Sequence, residues 1–98
     1  MKKSNIILEQ LGGSKFAVMT GTKNFKFDTE SLTMKLIPNR TKAKYLRIEL
    51  NVFDTYDMTF FSLDKNLNEI VKIHDTNVYN DMLQSSFTSA TGLYTSLF

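Results

Sequence analysis

Two short stretches combine glycine, a hydroxyl residue and lysine, the residue types that hold phosphate in nucleotide-binding loops. They are Gly13-Ser14-Lys15 and Gly21-Thr22-Lys23. A phosphate loop needs the spacing GxxxxGK[ST], with its glycines after a strand and before a helix whose N-terminus faces the anion. Neither stretch has this spacing, and the first follows a predicted helix. We therefore interpret both as turns and expect no nucleotide or other cofactor.

The other side chains that could do chemistry form no recognisable catalytic set. The chain has no cysteine and one histidine, His74. This excludes thiolate catalysis and zinc bound by cysteine, and it leaves no second imidazole for a transition-metal site. Asp54 and Asp57 could bring two carboxylates together, but at a predicted turn we interpret them as solvated. The sequence therefore predicts that the protein is not an enzyme and that it has no metal site.

Length and composition indicate one folded domain over residues 1–98. The hydrophobic share is 42% and the charged share 22%, which are ordinary values for globular proteins. After Lys2 and Lys3 the apolar run Ile6–Leu8 stops at Glu9, which is too short for a signal peptide or a membrane span. We expect no membrane partner.

Most of the middle of the chain alternates apolar and polar residues, which is the pattern of strands with one buried face. Leu46, Ile48, Leu50 and Val52, for example, are predicted to point the same way. Gly21 is expected to close a hairpin between the first two strands. The predicted strands are KFAVM, NFKFD, SLTMKLI, KYLRIELNV, YDMTFFSL and NEIVKIH.

A helix is predicted at each end of this run of strands. The first is short and ends at Gly12-Gly13. The second is capped by Asp75-Thr76-Asn77 and ends at Gly92, and its apolar stripe consists of Val78, Met82, Leu83, Phe87 and Ala90. Short connections require antiparallel pairing. The predicted class is therefore α+β: a short N-terminal helix, an antiparallel sheet of five or six strands, and a C-terminal amphipathic helix packed on one sheet face.

The charges are distributed unevenly along the chain. Residues 1–49 carry ten Lys/Arg and four Asp/Glu, whereas residues 50–98 carry two Lys and six Asp/Glu. Basic side chains attract phosphates, and an aromatic ring on an open sheet can stack a base. The segment that fits this pattern supplies Lys35, Arg40, Lys42, Lys44 and Arg47 with Tyr45 among them. The alternative is a solvated loop and strand edge whose charges oppose aggregation.

Large apolar residues continue beyond Gly92, at Leu93, Tyr94, Leu97 and Phe98. Such a tail either packs back onto its own sheet or docks on a second copy or a partner.

Both ends of the chain resemble a group of small uncharacterised proteins encoded by bacteriophages and other mobile elements. The resemblance lies in ILEQLGGSKFAVMTGTKNF and VYNDMLQSSFTSATGLYTSL, and more loosely in YLRIELNVFDTYDMTFF. It implies a viral or mobile-element origin and action in the cytoplasm of an infected bacterium, with no catalytic residue to transfer.

Three functions remain open. The first is a non-enzymatic phage accessory protein that binds nucleic acid or a nucleoprotein through the basic segment. The alternatives are an inhibitor or modulator of a host or anti-phage defence protein, and a structural homo-oligomer.

Overall fold

Five antiparallel strands form one sheet in which the spatial order is the order of the chain. The computed structural model describes residues 3–93, with side chains from residue 6 onward. Helices α1 (Lys3–Leu11) and α2 (Gly13–Thr20) precede the sheet, and α3 (Leu83–Thr91) follows it. The strands are β1 (Lys23–Phe27), β2 (Ser31–Lys35), β3 (Tyr45–Leu50), β4 (Tyr56–Leu63) and β5 (Glu69–Val78). The predicted α+β class is confirmed, with five strands.

The period of two assigns the residues of the central strands to two faces. β2, β3 and β4 pair in register, so that Leu32 lies opposite Ile48 and Ile48 opposite Met58. We call the face with these buried side chains the inner face. The outer face carries the alternate residues. The paired residues of the central strands on this face are Ser31, Thr33, Lys35, Tyr45, Arg47, Glu49, Asp57, Thr59 and Phe61.

The helices pack on the inner face through an aromatic cluster. Phe16 of α2 and Phe87 of α3 meet edge to face with ring centroids 5.0 Å apart, and Phe87 lies 6.4 Å from Phe60 of β4. All three rings are fully buried. Ile7 and Leu11 of α1 join the same core. The sheet is thus covered on one side, which is how an antiparallel sheet hides its apolar face.

The prediction of a strand over KFAVM is wrong, because these residues lie in α2. A short apolar run cannot be assigned from periodicity alone, and here the buried residues are Phe16 and Thr20, four apart as on one face of a helix. Gly21 does not close a hairpin. It ends α2 in the left-handed conformation, with φ of 70°, and its N–H bonds to the Ala17 carbonyl.

Two further expectations are corrected at strand ends. Val52 does not face the core, because β3 ends at Leu50 and leaves Val52 92% exposed. Residues 75–77 do not cap a helix. They belong to β5, which pairs with β4 as far as Val78, and a 3-10 turn at Asn80–Met82 precedes α3. The end of α3 at Gly92 is confirmed.

No helix within residues 3–93 is long and apolar enough to span a membrane.

The aromatic cluster predicts a large difference between two phenylalanines. Phe87→Ala removes a buried ring, and we expect it to lower the free energy of unfolding by about 3–5 kcal/mol in urea denaturation. Phe53→Ala is the matched control, because Phe53 is 76% exposed, and its effect is expected within about 0.5 kcal/mol. Equal losses in the two variants would contradict this packing.

Candidate functional site

Strand register places lysines beside an aromatic pair on the outer face. Lys23 of β1 lies opposite Lys35 of β2, Lys35 opposite Tyr45 of β3, and Tyr45 opposite Phe61 of β4. We call these four residues the lysine–aromatic row. The Tyr45 and Phe61 rings are stacked, with centroids 5.5 Å apart. Phe61 is buried on this face, whereas Tyr45 remains partly exposed, so the row offers an aromatic surface next to two ammonium groups.

Lys26 follows Lys23 by three residues, past an irregularity in the register of β1, and pairs with Thr33 of β2. Because paired residues of an antiparallel sheet share a face, Lys26 adds a third ammonium group to the same quarter of the outer face. Within the described side chains, none of Lys23, Lys26 and Lys35 forms an ion pair. Their positive charge is therefore available to an anion.

Lys42 and Lys44 lie in the loop between β2 and β3, at the end of the sheet next to the row. Together with Lys35 they border a groove of about 440 Å³, which we call the lysine groove. Its other lining residues are Leu36, Ile37, Pro38, Asn39 and Ala43. The groove therefore has an apolar floor and a basic rim.

Asn39 organises this loop from its centre. Its Nδ2 donates to the carbonyls of Ile37 at 2.8 Å and Ala43 at 2.9 Å, and its Oδ1 accepts from the Thr41 N–H at 3.0 Å. The Lys42 N–H donates to the Asn39 carbonyl, and Lys42 has a positive φ of 63°, a conformation uncommon outside glycine. These bonds fix the backbone that carries Lys42 and Lys44.

Arg47, a predicted contact residue, is already engaged. Its Nη1 and Nη2 donate to the two carboxylate oxygens of Glu69 at 2.7 and 3.0 Å, and its Nε donates to Glu49 at 3.0 Å. Its Cζ lies 5.0 Å from the Phe61 ring centroid. With two carboxylates around one guanidinium, this cluster supplies no net positive charge. Arg47 instead holds Phe61 in place beneath Tyr45.

Arg40 lies on the helical side, away from the row. Its N–H donates to the Thr91 carbonyl at 3.1 Å, and its guanidinium covers Gly92 so closely that an added Cβ would lie 3.0 Å from Nη2. A cation at this place complements the negative end of α3. The structure thus brings together Lys35, Lys42, Lys44 and Tyr45, and leaves Arg40 and Arg47 with other contacts.

The apolar tail is described only in part. Leu93 is partly buried and packs against the core. Tyr94, Leu97 and Phe98 lie outside the described residues.

The possible acid–base residues have structural hydrogen bonds. Asp57 Oδ1 accepts from Asn51 Nδ2 at 3.0 Å and from the Asn77 N–H at 3.2 Å. His74 Nδ1 lies 2.9 Å from Thr59 Oγ1. Within the described part of the chain, no cluster of three or more His, Cys, Asp or Glu could hold a metal ion.

Sequence reasoning missed Lys23 and Lys26 as neighbours of Tyr45, and it missed the role of Asn39. The alternation around Lys26 and its pairing with the next strand are visible in the sequence, but the β-bulge that sets Lys23 opposite Lys35 and Lys26 opposite Thr33 is not. Proline followed by asparagine marks a turn, yet composition does not show which carbonyls the amide will reach.

No family model, curated protein or solved structure matches the chain.

The Arg47–Glu69 pair gives stability a dependence on pH. The hydrogen bond from Arg47 lowers the pKa of Glu69 below its ordinary value of 4.5. A lowered carboxyl pKa stabilises the fold at pH values above the ordinary pKa, and this contribution is lost as the pH falls through the folded value. Both side chains are partly exposed, so solvent screening limits the pair to about 1 kcal/mol or less.

We therefore expect Glu69→Gln to lower the free energy of unfolding at neutral pH by up to about 1 kcal/mol. The difference from the parent protein should vanish at a pH below the folded pKa of Glu69. Glu9→Gln is the control, because Glu9 forms no ion pair with a described residue. A deficit in Glu69→Gln that stays constant with pH would rule out the pair as its cause.

Proposed function

We propose that this protein binds single-stranded nucleic acid on the outer face of its sheet, as a non-enzymatic accessory protein of a phage or mobile element. The observation that supports this most directly is the lysine–aromatic row, in which two lysines and a stacked tyrosine are adjacent across neighbouring strands. The origin rests on the resemblance of the two chain ends alone.

The proposed contacts follow from the chemistry of the row. Lys23, Lys26 and Lys35 would neutralise backbone phosphates, which releases counterions and favours binding at low salt. The partly exposed Tyr45 would stack one base, and this contact is available only when the base is unpaired. Lys42 and Lys44 would add positive charge where the nucleic-acid strand extends past the end of the protein sheet.

The architecture suits such a ligand because the helices pack on the inner face and leave the row on the opposite face of the sheet. Thr33 lies between Lys26 and Arg47 in the adjacent row of paired residues. The contact of Arg47 with Phe61 orders the Phe61 ring, on which Tyr45 is stacked, before a ligand binds. This order lowers the entropic cost of binding.

The second proposal is a modulator of a host or anti-phage defence protein. The feature that favours it is the exposed apolar pair Val52 and Phe53, flanked by acidic residues. Retention of a host protein with no affinity for oligonucleotides would support this second function.

Salt dependence tests the phosphate contacts. We expect binding of a fluorescent single-stranded oligonucleotide, measured by anisotropy, to weaken steeply with salt. Lys23→Gln with Lys35→Gln should reduce the slope of log K against log salt by about 1.4, since each phosphate contact contributes about 0.7 for single strands. Lys15→Gln removes one charge on α2, outside the row, and should change the slope by less than the value of about 0.7 expected for each lysine of the row. A change of about 0.7 or more in Lys15→Gln, or no binding at low salt, would refute the proposal.

Tyr45→Leu tests the stacking contact separately. Because a stacked base contributes about 1–3 kcal/mol, this change should weaken oligonucleotide binding at least several-fold while leaving the salt slope unchanged. Tyr79→Leu is the control, because Tyr79 is exposed outside the row. A double-stranded probe should be insensitive to Tyr45→Leu. Loss of affinity through a changed salt slope would contradict stacking.

A further inference from the structure

The two ends of the sheet carry opposite charges. β3 runs from Tyr45, beside the lysine groove, to Leu50, beside the loop that joins β3 to β4. The groove end carries Lys35, Lys42 and Lys44 on its rim. The acidic side chains around the opposite loop are Glu30, Glu49, Asp54 and Asp57. Strands rise about 3.3 Å per residue, so the five steps from Tyr45 to Leu50 separate these ends by about 17 Å.

The acidic end also presents two exposed apolar side chains. Val52 is 92% exposed, and Phe53 follows it at the tip of the loop. We call residues 51–55 the acidic tip. Soluble proteins expose such adjacent large apolar residues most often where they meet a partner.

The acidic tip is held rigidly by Asn51. Its Oδ1 accepts from the Phe53 N–H at 2.9 Å, and its Nδ2 donates to Asp57 Oδ1 at 3.0 Å. The Asn51 N–H donates to the Thr55 carbonyl at 2.8 Å, while Asp54 takes a positive φ of 59°. The backbone that presents Val52 and Phe53 is therefore ordered before any contact is made, which reduces the cost of binding.

We propose that the acidic tip of one copy docks in the lysine groove of the next copy, so that the protein associates head to tail along its strand direction. Phe53 would enter the apolar floor formed by Leu36, Ile37 and Pro38. Asp54 and Asp57 would face Lys42 and Lys44 on the rim. The acidic tip is thus complementary to the lysine groove in both apolar surface and charge. Because both surfaces belong to the same protein, a second copy is the favoured occupant of the groove.

A head-to-tail contact has a consequence that a two-fold contact lacks. The two surfaces are different, so each copy keeps a free tip and a free groove, and association continues until a ring closes or a filament forms. A tip of two apolar side chains buries less than the roughly 1,200–2,000 Å² of a stable interface. The association is therefore weak, and it weakens further with salt because charges face each other across it.

Sedimentation of the protein alone, without nucleic acid, tests this arrangement. We expect the mean mass to rise with protein concentration at low salt and to fall when salt is added. Phe53→Ser should reduce the association constant about tenfold or more, as for the loss of a buried aromatic anchor. Val18→Ser is the matched control, because Val18 is exposed on α2 and lines neither the acidic tip nor the lysine groove, and it should associate like the parent protein.

A mixing experiment separates head-to-tail from two-fold association. The groove variant combines Lys42→Asn, which tolerates the positive φ, with Lys44→Glu. Each of the tip and groove variants should be monomeric alone, because each lacks one half of the contact. Their mixture should form a one-to-one dimer that grows no further, since one variant retains the groove and the other retains the tip.

Several results would overturn the proposal. They are a parent protein that stays monomeric at every concentration, growth unaffected by Phe53→Ser, and a mixture of the two variants that remains monomeric. These results leave the nucleic-acid proposal intact, because Phe53 lies outside the lysine–aromatic row. If the Phe53→Ser monomer binds the oligonucleotide as the parent protein does, nucleic-acid binding does not depend on head-to-tail association.

Discussion

The burial of the inner face beneath the aromatic cluster is the constraint on which the remaining structure depends. Phe16 comes from α2, which precedes the strands in the chain, and Phe87 comes from α3, which follows them. The two rings pack against each other, and Phe87 also packs near Phe60. Once this face is buried, the period of two decides which face each residue of β2, β3 and β4 occupies, because a shift of one residue would exchange the faces. Lys35 and Tyr45 lie on the outer face as a consequence of burying Met34 and Leu46.

Much of the sheet was predictable, because its central strands alternate strictly. Leu46 and Ile48 could be assigned to the core from spacing alone, and Gly92 could be identified as a helix end. KFAVM could not be assigned, since five apolar residues fit either a buried strand or a helix, and the decision came from packing of Phe16 against Phe87. Cross-strand neighbours such as Lys23 and Lys35 were not predictable either, because the register of β1 on β2 shifts between Lys23 and Lys26.

The candidate site shows the same division between local and long-range information. Basic residues in the segment from Lys35 to Arg47 were evident, but their partners lie far away in sequence. Glu69, which bonds to Arg47, lies twenty-two positions further along the chain. Arg40 bonds to the carbonyl of Thr91 at the end of α3. Asn39 bonds within its own loop at one end of β3, whereas Asn51 at the other end bonds within its loop and also to Asp57 of β4 and Asn77 of β5. Each amide satisfies backbone groups where a strand stops, and each fixes the surface at that end.

The central claim is that the face left open by the helices is the binding face, and nuclear magnetic resonance tests it most directly. Amide and ring resonances would be followed while a single-stranded oligonucleotide is added to the protein. The account predicts that perturbations concentrate at Lys23, Lys35 and Tyr45, with little change around Phe16 and Phe87. Perturbations that concentrate on the helices, or spectra that do not change, would contradict it.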